Sequence, residues 1–128
     1  MSKYNAKQHK VGVYTFDSKV EADYYKHLVD KGIEKIVIHP FYPLIDKFEK
    51  NGKKYRWVDL EADFEFVENW KTRIVDIKGM ATETAKLKRK LFEYFHPLET
   101  IEWIVRYWGE RVQYEDNEKR KRDNKKKK

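Results

Sequence analysis

The sequence has no cysteine and few residues that break secondary structure, with three prolines and five glycines among 128 residues. The absence of cysteine excludes disulfides, thiolate zinc sites and cysteine nucleophiles. No run approaches the roughly 18–20 consecutive apolar residues that a membrane-spanning helix needs. The polar segment 1–10 carries no secretory signal pattern. We therefore expect a cytoplasmic protein that does not act at a membrane.

Two further kinds of site lack their motifs. The glycines form no phosphate-cradling loop, so we expect no nucleotide cofactor. No HxH or HExxH spacing links the four histidines, which argues against a nuclease of the HNH type. We interpret them as surface or structural residues: His9, His27, His39 and His96.

The excess of positive charge belongs to one end of the chain. The net charge is +7, but segment 117–128 alone holds eight Lys or Arg against two acids. The rest of the chain is nearly neutral. Lys119, Arg120, Lys121 and Arg122 are therefore candidates for binding a phosphate backbone without reading its sequence. The alternative is a solvated end that aids solubility.

Capping and apolar spacing predict two helices. Ser18 and Glu21 form a capping box that opens a helix ending near Lys31. Thr82 or a neighbour caps a second helix that runs to about Phe95.

The remaining apolar runs predict four strands. The first, 33–45, is interrupted by Pro40 and Pro43, and an Asn51–Gly52 turn leads to the second, 54–66. Strands 72–78 and 100–108 follow. The fold class is then α/β, in the order helix-strand-strand-strand-helix-strand, with a mixed central sheet flanked by helices. We expect an irregular arm at 1–15, a domain at 16–114 and a disordered basic tail at 115–128.

Acidic side chains on two predicted strands form the candidate site. Asp63 lies on the second strand and Asp76 on the third, and Lys78 shares a face with Asp76 because side chains alternate with period two. If the strands are neighbours, the two carboxylates can hold Mg²⁺ against a phosphodiester, with Mn²⁺ as a substitute and the backbone carbonyl of Ile77 as a further ligand. Asp76 needs a partner because the residues around it are apolar.

Other residues have competing interpretations. Asp63 also fits a solvent face, and a plain ion pair with Lys78 would satisfy Asp76. Glu21 is explained equally well by helix capping. Lys86 and Lys88 on the second helix are candidates for contact with the DNA backbone or for a solvated face. The tryptophans are interpreted mainly as core residues, although Trp70 has the alternative of stacking on a base.

Taken together, these motifs resemble the PD-(D/E)XK nuclease superfamily. The resemblance covers roughly residues 16–92, and it is strongest to a family of small phage-encoded members with no assigned activity. It is carried by segments 16–22, 55–56, 62–64, 75–79 and 88–92, together with Thr82. It implies a restriction-endonuclease-like core, divalent-metal dependence and DNA cleavage in the cytoplasm of a host cell. Asp63 and Asp76 would be metal ligands, and Lys78 the catalytic lysine. Glu21 would be an accessory acid, as in junction-resolving enzymes of phages and archaea. Ala62 replaces the superfamily proline.

Two functions follow as expectations. The first is a Mg²⁺-dependent DNA endonuclease that is selective for branched DNA such as Holliday junctions, in phage recombination or replication. Because a junction cutter makes paired incisions, it is expected to form a homodimer. The second is a non-catalytic DNA-binding or recombination-accessory protein on the same fold.

Overall fold

The computed structural model describes residues 8–16, 18–107 and 110–126. Within these ranges the chain forms eleven strands and three helices. The helices are α1 (Lys19–Asp30), α2 (Glu83–Phe95) and α3 (Tyr114–Lys126). The strands are β1 (His9–Val11), β2 (Tyr14–Phe16), β3 (Val37–Ile38), β4 (Phe41–Ile45), β5 (Phe48–Lys50), β6 (Lys53–Tyr55), β7 (Val58–Glu61), β8 (Phe64–Glu68), β9 (Lys71–Ile77), β10 (Ile101–Tyr107) and β11 (Glu110–Gln113).

A mixed five-stranded sheet forms the centre, in the order β11-β10-β9-β8-β3. Strands β9 and β10 are parallel and are connected through α2, whereas the other pairs are antiparallel. The prediction of an α/β fold with a mixed central sheet is confirmed. The predicted element order is incomplete, because the described residues also form three separate two-stranded ribbons: β1–β2, β4–β7 and β5–β6.

Consecutive residues of β9 point to opposite faces of the sheet and so contribute to two different apolar clusters. Val75 packs with α1 residues such as Leu28, and Ile74 packs with Phe92 of α2. All four side chains are almost fully buried. This alternation places Asp76, two residues after Ile74, toward the cluster that contains α2.

Both predicted helix starts are confirmed. The Ser18 hydroxyl accepts a hydrogen bond from the Glu21 N–H at 3.2 Å, and the Thr82 hydroxyl accepts one from the Ala85 N–H at 3.1 Å. Each side chain satisfies a backbone donor that has no partner within the helix. None of the helices in the described part of the chain is long and apolar enough to span a bilayer.

The interruption predicted in the first strand lies at His39–Pro40, whereas the second predicted strand is wrong as a continuous element, and both segments bend at the same place. Segment 33–45 divides into β3 and β4 around His39–Pro40, and segment 54–66 divides into β6, β7 and β8. Two hydrogen bonds join the bends: His39 N–H donates to the Asp63 carbonyl at 3.0 Å, and Ala62 N–H donates to the Pro40 carbonyl at 3.1 Å. The paired strands thus leave the central sheet together, with Asp63 at the bend.

The chain ends also differ from expectation. The arm expected to be irregular, 1–15, contains β1 and most of β2, while residues 1–7 lie outside the described residues. The tail expected to be disordered, 115–128, is helical through Lys126, and residues 127–128 lie outside the described residues. Helix α3 is anchored because Tyr114 packs edge-on against Trp103, Asn117 is buried, and Glu115 pairs with Arg89 at 2.5 Å.

The tryptophan interpretation is partly wrong. Trp103 is buried as expected, but Trp57 is largely exposed and Trp70 fully so, while Trp108 lies outside the described residues. Trp70 also adopts a left-handed backbone with φ of +66° in the turn between β8 and β9. A bulky residue is strained in this conformation, which glycine adopts freely.

Replacing Trp70 by glycine is therefore expected to raise the free energy of unfolding by about 0.5–1 kcal/mol, because the relief of about 1–2 kcal/mol of left-handed strain exceeds the roughly 0.4–1 kcal/mol that the greater freedom of glycine adds to the unfolded chain. Asn-Gly is a preferred pair for a tight turn with positive φ at both positions, and Asn69 already has a φ of +54°. Urea denaturation measures the change. The matched control is Trp57→Gly, at an exposed tryptophan outside the left-handed region, which should not be stabilising. A Trp70→Gly protein less stable than the parent would contradict the strain argument.

Candidate metal centre

The pairing of β8 with β9 brings Asp63 and Asp76 together. Phe64 lies opposite Val75 in this antiparallel pair, so the next positions outward place Asp63 opposite Asp76. The Asp63 N–H donates to the Val75 carbonyl at 3.1 Å, which fixes the approach. Two carboxyl groups from neighbouring strands thus meet at the end of the β8–β9 pair.

Asp63 is held by a backbone donor and by its acidic neighbour. Its Oδ2 accepts a hydrogen bond from the Ile77 N–H at 2.7 Å. Burial raises the pKa of Asp63 to about 8, and the adjacent Asp76 and then Glu21 add to the rise, against the lowering effect of the Ile77 N–H. A hydrogen bond between the two carboxyl groups, which only a proton on one of them allows, contributes to this rise. Two carboxylates this close cannot both ionise without a nearby positive charge.

Lys78 supplies one such charge to Asp76. The Lys78 Nζ lies 2.8 Å from Asp76 Oδ2, and only 9% of Asp76 is exposed. Lys78 N–H donates to the Ile104 carbonyl at 2.8 Å, and its ammonium lies 5.4 Å from the centre of the Trp103 ring. Asp76 and Lys78 therefore share a face, as period two predicts.

Glu21 and His39 approach Asp63 from two other elements. Glu21 comes from the first turn of α1 and His39 from the bend between β3 and β4. Glu21, His39 and Asp63 each have one potential metal-binding atom in this cluster, and these three atoms lie within 4.8 Å of one another. Glu21 therefore lies beside the acidic pair as well as in the first turn of the helix.

His39 is the member of this cluster that sequence reasoning missed. Its Nε2 lies 3.7 Å from Glu21 Oε2 and its Nδ1 lies 2.9 Å from Glu61 Oε1. The half-exposed His39 side chain, paired with Glu61, fits the interpretation as a surface or structural residue, but that interpretation did not anticipate its position beside Glu21 and Asp63. The available signal was Pro40, which interrupts a β-branched run and so marks a bend at position 39.

The candidate basic residues divide between two regions. Lys88 lines a cavity of about 330 Å³ together with Asp76 and Lys78. Lys86 does not line that cavity, and it pairs with Glu83 at 3.3 Å. The structure thus brings Lys88, but not Lys86, to the acidic pair.

Helix α3 brings part of the basic segment to the site. A second cavity, of about 600 Å³, has Ile77, Lys78, Arg106 and Lys121 among its lining residues. Lys119, Arg120 and Arg122 lie on the same helix. The Ile77 carbonyl remains a predicted ligand.

Comparison with known proteins places the chain in a family. The family profile described as "Protein of unknown function (DUF1064)" matches residues 1–124. The chain belongs to this DUF1064 family. No curated protein sequence matches this DUF1064 member at a significant level.

One solved structure is similar to this DUF1064 chain. The crystal structure of SSO0001 matches with a TM-score of 0.46 and 16% sequence identity. The match covers 74% of the present chain and 47% of that one, so this chain spans about half the length of its structural relative.

Proposed function

We propose that this protein is a divalent-cation-dependent phosphodiesterase that cuts DNA, built on a restriction-endonuclease-like core. Helix α1, the antiparallel pair β8–β9, helix α2 and the parallel strand β10 support that core. The observation that carries the proposal is the register of β8 against β9, which sets the carboxyl groups of Asp63 and Asp76 opposite each other beside the Lys78 ammonium.

The donor set fits a hard cation such as Mg²⁺ or Mn²⁺. Both ions prefer carboxylate oxygens, and Asp63, Asp76 and Glu21 offer them from three different elements. The pKa of Asp63 is raised because its ionised carboxylate would be buried beside two other acids, and a bound cation would offset that negative charge. When bound, such a cation would neutralise phosphate charge and lower the pKa of a water molecule.

The chain's own residues divide the remaining work. Lys78 can orient the attacking water or contact the scissile phosphate, because its ammonium is held at the edge of the acidic pair. Lys78 lines both cavities, with Lys88 in the smaller one and Lys121 in the larger one. Lys88 and Lys121 can therefore bind the phosphates on either side of the scissile phosphate. Burial of Asp76 and its contact with Lys78 keep its carboxylate in one orientation.

The test is nicking of supercoiled plasmid by the purified protein with Mg²⁺, with Mn²⁺ or with a chelator. Nicking that requires a divalent cation supports the proposal. DNA binding without nicking under all three conditions would contradict it and favour the alternative, a non-catalytic DNA-binding or recombination-accessory protein.

We further propose that the substrate is branched DNA. Lysine side chains of α2 and α3 line the cavities beside the site, and such cations contact phosphates rather than bases, so selection by DNA shape is favoured over selection by sequence. A matched set of four-way junction, flap, linear duplex and single strand tests this choice. Paired cutting of the junction would require a homodimer on the DNA, which sedimentation of the complex measures.

Helix α3 gives a separate prediction about DNA binding. Its exposed residues Lys119, Lys121 and Arg122 are expected to contact phosphates, so replacing all three with glutamine should weaken binding. The slope of log affinity against log salt should fall by about two to three, since each phosphate contact contributes about 0.9. Binding measured by fluorescence anisotropy between 50 and 200 mM salt checks this. An unchanged slope would show that α3 does not contact the backbone.

A further inference from the structure

The cluster on the α1 side of Asp63 contains an imidazole, which the acidic pair lacks. Glu21, His39 and Asp63 come from α1, from the β3–β4 bend and from the β7–β8 bend. Their ligand atoms lie within 4.8 Å of one another. Two ligands bound on opposite sides of one ion at about 2.1 Å lie about 4.2 Å apart. Neighbouring ligands of such an ion lie closer, about 3.0 Å apart, so a shift of less than about 1 Å would seat all three on a single cation.

The orientation of the His39 ring favours this use. Its Nδ1 lies 2.9 Å from Glu61 Oε1, which leaves Nε2 on the side that faces Glu21 at 3.7 Å. A histidine that binds a metal through one nitrogen usually directs the other toward a carboxylate or a carbonyl, which fixes the ring. Glu61 occupies that position here.

The backbone at His39 is held in an uncommon conformation. Its φ is +55°, in the left-handed region, and its N–H donates to the Asp63 carbonyl at 3.0 Å. A non-glycine residue in this region carries strain that the surrounding structure must offset. The hydrogen bond ties the histidine directly to the residue that would share the cation.

We propose that Glu21, His39 and Asp63 form a second cation site, which takes a transition-metal ion such as Mn²⁺ in preference to Mg²⁺. The imidazole nitrogen sets this preference, because Mg²⁺ is held by oxygen ligands, whereas a transition-metal ion, Mn²⁺ included, accepts one imidazole nitrogen beside two carboxylates. Asp63 would be shared with the ion held against Asp76. The use of the second ion in cleavage rests on the proposed function; its binding does not.

Mn²⁺ binding tests the site without reference to activity. Pulsed electron paramagnetic resonance on the Mn²⁺-loaded full-length protein should show coupling to an imidazole nitrogen, and this coupling should vanish in His39→Gln. Titration calorimetry should show at least a tenfold loss of affinity for one Mn²⁺ in His39→Gln, with Mg²⁺ binding little changed. His9→Gln, a matched change on β1, should resemble the parent in both measurements.

Two further variants separate the possible failures. Glu61→Ala frees the His39 ring while leaving the three ligands in place, and it should weaken Mn²⁺ binding about tenfold. Asp76→Asn should retain the nitrogen coupling, because it removes only the other site. Coupling that persists in His39→Gln, or equal Mn²⁺ affinity in that variant and the parent, would overturn the second site. Nitrogen-coupled Mn²⁺ in a protein that never nicks DNA would sustain the site and defeat the nuclease proposal.

Discussion

Replacing Asp76 by asparagine is expected to lower cation-dependent nicking by about 10³-fold or more. The change keeps the shape of the side chain but removes the charge that faces Lys78 at 2.8 Å and that would hold the cation together with Asp63. Lys78 retains some exposure to solvent, so the variant should fold. Initial rates on supercoiled plasmid at saturating Mg²⁺ measure the loss.

Asp46→Asn is the matched control for this prediction. It removes one negative charge from an exposed residue between β4 and β5, so its nicking rate should equal that of the parent. If Asp76→Asn and the parent nick the plasmid at the same cation-dependent rate, the activity comes from a contaminating nuclease, and Asp76 has no demonstrated role in cleavage.

The second large effect is a gain in stability from a change at the largely buried residue Asp63, whereas most substitutions at buried positions lower stability. Asp63→Asn is expected to raise the free energy of unfolding at pH 8, without divalent cations, by about 2–4 kcal/mol, since one pKa unit corresponds to about 1.4 kcal/mol. Asparagine can still accept the Ile77 N–H, and its amide can donate to Asp76. The buried acid, in contrast, must either keep a proton that the unfolded state releases or ionise beside another carboxylate, and both cost free energy at pH 8.

The pH dependence follows from the direction of the pKa shift. The pKa of Asp63 is raised from 3.8 to about 8 in the folded protein, so the folded state binds a proton more tightly than the unfolded state. The stability that this proton contributes is complete below pH 3.8 and is lost as the pH rises toward 8. The advantage of Asp63→Asn should therefore grow between pH 5 and pH 8.

Thermal unfolding at these two pH values, with and without Mg²⁺, measures this effect. Mg²⁺ should stabilise the parent at pH 8 and leave Asp63→Asn almost unchanged, because a cation favours the ionised acid. Asp30→Asn, an exposed change at the end of α1, serves as the control. If the difference in stability between the parent and Asp63→Asn is the same at pH 5 and at pH 8, the pKa of Asp63 is not raised in the folded protein.

The local features of the fold could be predicted from the sequence, because their causes are local. Ser18 and Thr82 cap helices through their own side chains, and the period of two in β9 places Asp76 and Lys78 on one face. The meeting of Asp63 with Asp76 needed one further assumption, that their strands are neighbours. The short connection between β8 and β9 makes that pairing natural.

The parts that could not be predicted depend on contacts distant in sequence. The bend at Ala62–Asp63 requires the matching bend at His39–Pro40, and the hydrogen bonds that join them link residues about twenty positions apart. His39 reaches the site only through this bend. Helix α3 is likewise ordered by Trp103 and Arg89, which the composition of segment 115–128 does not reveal.

Anomalous diffraction from crystals of the full chain soaked in Mn²⁺ tests the central claim most directly. We predict an anomalous peak about 2.0–2.3 Å from a carboxylate oxygen of both Asp63 and Asp76, with their mutual hydrogen bond replaced by the ion. Crystals that keep this hydrogen bond at saturating Mn²⁺, with no peak beside either aspartate, would contradict it.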